Sequence, residues 1–270
     1  MLLSSMNSDP ATNIEKVDGD LRAPSRPSAP ENAPGGRVPP QAAWLVGLLQ
    51  AGDSYYPTGA YAHSFGLEGL VQAGMVKDRA TLREFIFLSV LPALRQAELP
   101  LAAHAYAALE PSAPDWERVG KLCVLSHALK SAKEARTATE NIGRQRAELT
   151  AALHGHPLAK EYLERAAGGG WPFSSAISAA LEGRVLGAPR EAVLAGVMYS
   201  AIGGLLAASM KIMRIGQNAS QSLLTEALAQ APVVIAAAVK VPVAEIGWFN
   251  PWLDIAAARH ETADGRMFIS

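Results

Sequence analysis

AVLAGVMYSAIGGLLAASM, residues 192–210, carries no charged side chain. A helical bilayer span needs about 20 predominantly apolar residues. The reading of this stretch therefore decides between a membrane protein and a bundle folded in water. Gly196, Ser200, Gly203, Gly204 and Ser209 dilute it, and bulky aliphatic residues are few. An uncharged helix of this kind also serves as the central element of a large bundle, apolar on all sides because neighbours surround it. We read it as that buried helix, running from Pro189, a residue suited to a first turn, to Met213. A membrane-embedded protein using 192–210 as its span is the rival reading.

Outward from this helix the signals stay helical. On one side lies the Ala-rich Ser220–Lys240, interrupted at Pro232. Beyond it Trp248–Ser270 reads as irregular chain, a short helix and a tail. On the other side Ser174–Leu186 is apolar, and Pro157 opens a short helix that stops at Gly168-Gly169-Gly170. Ser131–Leu153 is long and mixed in charge, as on a solvated helix face. Pro114 and Asp115 open a helix through Cys123 and His127. Thr81 and Glu84 have capping-box spacing, predicting a helix to about Gln96 with a kink or break at Pro92. Tyr61–Ala73 reads as one helix, Gly52–Gly59 as a loop and Ala42–Leu49 as a short apolar helix. Alternating apolar patches are short, and Ala and Leu outnumber β-branched residues, so strands find little support. The expected fold is all-α: a single compact multi-helix domain over residues 41–270. Residues 1–40, punctuated by Pro24, Pro27, Pro30, Pro34, Pro39 and Pro40, read as a disordered tail.

Composition narrows the function. The chain of 270 residues has a formal net charge of −1. Nucleic acid and anionic membrane, which need a concentrated basic surface, are poor partners for it. Its one cysteine, Cys123, permits no internal disulfide and fits a reducing compartment. Met1–Pro10 lacks the basic and apolar regions of a secretory signal, so a cytoplasmic location is expected. No G-x-x-x-x-G-K-[ST] loop is present to cradle a nucleotide, and no G-x-S-x-G elbow to carry a nucleophile. Two pairs could touch a metal: Cys123 with His127, four apart on one helix face, and His154 with His156. Neither supplies enough ligands for a closed site. They read as a buried thiol beside a hydrogen-bonded imidazole, and as a polar helix end. A helical metal-dependent enzyme built on these four residues is the second rival reading. No catalytic residue, cofactor or metal site is expected.

Three separated segments carry a resemblance. The first is Asp53-Ser54-Tyr55-Tyr56-Pro57-Thr58-Gly59-Ala60-Tyr61-Ala62-His63-Ser64-Phe65-Gly66-Leu67-Glu68. Pro57 and Gly59 suit a tight turn, Gly66 allows close helix packing, and Glu68 lies one turn beyond Ser64 on the same face. Taken alone, Glu68 would read as a solvated charge. The second is Lys211-Ile212-Met213-Arg214-Ile215-Gly216-Gln217, in which the cations offset a helix C-terminal dipole and Gly216 suits a C-cap. The third is His260-Glu261, a spacer, then Arg266-Met267-Phe268, with Phe268 read as an exposed aromatic. A weaker fourth segment is Glu134-Ala135-Arg136, Thr139 and Gly143-Arg144.

Together these resemble the UreF family of urease accessory proteins from about Ala43 to Ser270. In the first segment the likeness is a Pro-x-Gly turn followed by an aromatic, a small-polar pair and Gly-Leu-Glu. The second resembles a basic-aliphatic stretch ending in Gly-Gln. The third is similar to a family ending of His-Glu, spacer, Arg-Leu-Phe-Arg-Ser, with Met267 in place of Leu and Ile269 in place of the penultimate Arg. The resemblance implies a non-catalytic helical homodimer. It would bridge UreD (also called UreH) and the GTPase UreG, and regulate GTP-dependent delivery of nickel to apo-urease. It further implies a partner-facing surface of Lys211, Arg214, Gly216 and Gln217, with Pro57, Gly59, His63, Ser64 and Glu68 near it. His260, Glu261, Arg266 and Phe268 would dock the tail on a partner. No side chain is implied as a nickel ligand.

Overall fold

A computed structural model describes residues 43–260, 263 and 265–269. The expected Pro-rich tail, its boundary at Gln41, and Glu261 lie outside the described residues. Among the described residues no strand occurs and the fold is all-helical. The helices are α1 Ala43–Ala51, α2 Leu67–Gln72, α3 Arg79–Ala108, α4 Trp116–Ala128, α5 Lys133–His154, α6 Pro157–Gly169, α7 Ser175–Leu186, α8 Arg190–Ile212, α9 Gln217–Leu228, α10 Ala231–Ala238 and α11 Pro251–His260. Single 3-10 turns occupy Ala60–Ala62 and Val243–Glu245.

The core gathers where α3, α4, α6, α7 and α8 face one another. Leu82, Ile86, Leu99, Leu101, Leu122, Tyr162, Ile177, Leu181, Leu194 and Met198 are fully buried there. Burying a side chain of this size contributes about 1.5–3 kcal/mol each, which holds helices of weak intrinsic propensity. α8 packs against α2, α3, α7, α9 and α10 and so occupies the centre. It is not surrounded on all sides as the sequence predicts. Val193, Leu194, Met198, Ile202, Leu205, Leu206 and Ser209 form its buried face. Gly196, Ser200, Gly203 and Gly204, the residues that dilute its hydropathy, instead line a cavity of about 600 Å³. Both α3 and α8 are long and apolar enough to cross a bilayer by length and composition. About half of each apolar window is buried by the rest of the bundle.

Three local expectations are corrected. The capping box that opens α3 pairs Asp78 with Thr81, not Thr81 with Glu84. The Asp78 carboxylate accepts from Thr81 N (2.9 Å), and the Thr81 hydroxyl accepts from Asp78 N (3.1 Å). Asp is the stronger N-cap and leaves Thr81 in the third helical position. Pro92 does not break α3, which continues to Ala108. Wide π turns at Ile86–Val90 and Leu94–Glu98 precede Pro92 and Pro100. They make room for rings that clash with the carbonyl four residues back. The Gln96 carbonyl, which Pro100 cannot satisfy, accepts from Gly247 N at 3.0 Å instead. Tyr61–Ala73, finally, is not one helix. Phe65 (φ 53°) and Gly66 (φ 84°) both sit in the left-handed region and turn the chain before α2 begins.

Candidate functional site

The turn after α1 is set by its own sequence. Gly59 takes φ 78°, and Thr58 N donates to Tyr56 O at 2.8 Å. With its amide nitrogen turned towards them, Gln145 donates to Thr58 O (2.9 Å) and Pro57 O (3.1 Å). The turn is also anchored below by a cluster the sequence reading missed. The buried Glu182 carboxylate accepts from the Tyr56 hydroxyl and from Arg146 Nη1, while Arg146 Nη2 reaches Ala51 O. Burial and the adjacent Glu182 charge hold the Tyr56 hydroxyl well above its usual range. The signal was present as one acid, Glu182, inside the largely apolar Ser175–Leu186, whose other charge is Arg184.

Past this turn the left-handed pair Phe65-Gly66 aims α2 so that Glu68 points inward. Glu68 N donates to the buried Ser64 hydroxyl at 3.2 Å, closing the first turn. A side chain at Gly66 would meet Leu253, and one at Gly69 would lie 2.5 Å from the Ala256 carbonyl oxygen. These two positions let α11 lie directly against α2. That approach brings His260, at the end of α11, onto Glu68.

The Glu68 carboxylate, 5% exposed, is the hub of the site. One oxygen accepts from Met267 N at 2.8 Å. The other accepts from Phe268 N at 3.0 Å and from His260 Nε2 at 2.9 Å. Burial alone would raise its pKa, but the Met267 amide, His260 and the Phe268 amide together hold it below the ordinary value. His260 Nδ1 lies 3.0 Å from Glu134 Oε2, and Arg266 Nη1 donates to Glu134 Oε1 at 2.6 Å. Gln72 donates to Gly265 O, and Ile269 N to Ala62 O. Residues 265–269 are thus a strap laid across α2 and the 3-10 turn. Lys211 Nζ stands 5.3 Å from the Phe268 ring centroid, a cation–π contact that joins the end of α8 to the strap.

Members of all the resembling segments therefore meet in one place: Glu68, Lys211, His260, Arg266, Phe268 and, from the weaker segment, Glu134. Two expectations about them are corrected. Phe268 is not an exposed aromatic; it is 5% exposed, because its own backbone amide is drawn onto Glu68. Gly216 does not cap α8, which ends at Ile212; it precedes the first turn of α9 with an ordinary negative φ. Arg214, Gly216 and Gln217 are exposed, between the end of α8 and the first turn of α9. Pro57 and Gly59 are exposed, and His63 and Ser64 are buried beneath the strap. Burial pushes the His63 ring below its usual pKa, against the pull of Glu134.

The candidate metal pairs stay apart. The Cys123 thiol lies 3.7 Å from the Tyr162 hydroxyl, and burial pushes it up to about 11. His127 meets Glu140 at 2.6 Å on the surface. His156 Nδ1 accepts from Leu158 N as the N-cap of α6, and His154 is exposed at the end of α5. Among the described residues no three His, Cys, Asp or Glu side chains are grouped to hold a metal ion. The hub is a hydrogen-bonded network with one ion pair, Arg266–Glu134, and its carboxylate oxygens are occupied by groups of the chain itself.

The UreF family model matches residues 76–228. The chain is 32% identical over 242 residues to urease accessory protein UreF of Azoarcus sp. (strain BH72), covering 88% of this chain and 99% of that protein. It is 27% identical over 229 residues to urease accessory protein UreF of Bacillus sp. (strain TB-90), covering 84% and 99%. It is 29% identical over 234 residues to urease accessory protein UreF 2 of Brucella abortus (strain 2308), covering 84% and 92%. Matched by the family model over more than half of its residues, and 32% identical to a UreF protein along 88% of its length, the chain belongs to the UreF family.

Proposed function

We propose that this protein acts in urease maturation as a non-catalytic helical scaffold. It bridges UreD and the GTPase UreG, and regulates GTP-dependent insertion of nickel into apo-urease. The observation that carries the reading is the match along 99% of two relatives named urease accessory protein UreF. Nickel is cargo here, passed between partners, and no side chain of this chain is assigned to it. The working form is a cytoplasmic homodimer.

The surface supports a binding role. Phe249 is 74% exposed and Trp252 64%, and Leu88 and Val233 are also largely uncovered. Exposed aromatic side chains such as these are suited to anchoring a partner. Lys211, Arg214, Gly216, Gln217, Pro57 and Gly59 are exposed and are the residues we assign to partners. Glu68, His63, Ser64, His260 and Phe268 contribute from beneath by fixing its shape.

Co-expression with UreD, UreG and apo-urease tests the proposal. The chain should co-purify with UreD and UreG, support nickel-dependent urease activation, and sediment as a dimer. A chain that joins neither partner and leaves urease inactive overturns it.

A further inference from the structure

We propose that the chain from Tyr55 to Gly59 is a preformed docking edge for a protein partner, with Tyr55 as its aromatic anchor and Tyr56, Gln145, Arg146 and Glu182 as the residues that position it. The inference rests on the proposed role in urease maturation and deepens it. Side chains alternate along the segment. Tyr56 and Thr58 are 8% and 4% exposed, whereas Tyr55 is 93% exposed and Pro57 and Gly59 also face solvent. The inward pair seats the segment on the bundle, and the outward residues form one edge.

The segment is tied at its start, its middle and its apex. At the start, Arg146 Nη2 reaches Ala51 O at 3.3 Å, and Asp53 accepts from Tyr55 N at its carboxylate (2.7 Å) and from Tyr56 N at its carbonyl (3.1 Å). In the middle, the Tyr56 hydroxyl donates to Glu182, which also accepts from Arg146 Nη1. The Arg146 guanidinium lies 5.5 Å from the Tyr56 ring centroid. At the apex, the Gln145 amide donates to Pro57 O and Thr58 O. Gln145 and Arg146 are neighbours on α5, so one turn of one helix grips both ends of the segment, while α7 supplies Glu182.

Stability alone is a poor reason for this arrangement. Taking two charges out of water costs about what their attraction returns, and apolar residues of like volume often serve a core as well or better. What the Arg146–Glu182 pair supplies is direction: hydrogen bonds of fixed geometry that a greasy contact would not specify. The outcome is an exposed phenol ring on a backbone that is already ordered. Such a group loses little freedom on binding, and tyrosine is enriched among the few residues that dominate protein interfaces. The ring and hydroxyl of Tyr55 fit a partner surface offering an apolar slot with a hydrogen-bonding group at its end.

Affinity of the full chain for UreD and for UreG, measured beside its melting temperature, tests the edge. Tyr55→Ala should weaken binding to one of them at least about tenfold, with a melting temperature within about 2 °C of the wild type, because the ring is outside the core. Gln145→Glu keeps the shape of the side chain and removes its donors. It should leave helical circular dichroism unchanged, lower the NMR order parameters of the Thr58 and Gly59 amides, and weaken binding to the same partner. Gln145→Arg, which brings donors back, should restore both the order and the binding. Wild-type affinity in Tyr55→Ala or in Gln145→Glu overturns the docking edge while leaving the maturation role standing. A wild-type chain that joins neither partner overturns that role, and the edge with it.

Discussion

At the scale of single residues, Glu68 shows how context reverses a reading. A glutamate opening a short helix is ordinarily a solvated charge; here three donors from residues about 190 positions later close on it. Its depressed pKa has a defined sign. A carboxylate held below its ordinary 4.5 contributes stability that is complete above that value and is lost as pH falls through the folded-state value. The strap should therefore loosen on acidification below about pH 4.5, seen as protease cleavage near Met267 before any loss of helical circular dichroism. Lys211 and Phe268 make a contrasting pair. Lys211→Ala removes an exposed cation–π contact worth about 0.5–1 kcal/mol. The melting temperature should drop by no more than about 2–4 °C for a domain of this size. Phe268→Ala empties a buried site, a change worth about 3–5 kcal/mol in a core. Because residues 265–269 form no helix or strand, the loss should appear mainly as proteolysis there.

At the scale of elements, helix identity was legible and helix ends were less so. Periodicity and Pro/Gly punctuation place α4 to α8 within a few residues of their observed bounds. That the helix continues through Pro92 has a physical source: proline disrupts an ordinary α-helix, but a π turn on its N-terminal side removes the clash, and nothing in one sequence announces a π turn. The split of Tyr61–Ala73 turns on Phe65, which adopts a positive φ that sequence gives no reason to expect of an aromatic residue. The approach of α2 to α11 is testable at Gly69. Alanine there gains about 1 kcal/mol of helix propensity, yet its Cβ would sit 2.5 Å from the Ala256 carbonyl oxygen. Backbone cannot yield as a flexible side chain does, so a net destabilisation of about 1–3 kcal/mol is expected from urea unfolding. Gly69→Ala at or above wild-type stability would show that the helices part at little cost.

At the scale of the whole molecule, the strap is an addition to a bundle whose core lies elsewhere. Deleting residues 266–270 should leave helical content and cooperative unfolding near those of the full chain, while weakening co-purification with UreD and UreG. Unfolding of the truncated chain would make the strap part of the core; undiminished binding would remove it from the partner surface. The sequence by itself determined the helical class, most of the helices and the family resemblance, because 3.6-residue periodicity, proline and glycine act through neighbours in the chain. Which charges are buried, that Phe268 is covered, that Glu134, Glu68 and His260 form one network, and that α8 shows its small residues to a cavity were decided by tertiary structure. Those facts depend on contacts between residues up to 200 positions apart, and on hydrogen bonds that become worthwhile only once burial has removed water from both partners.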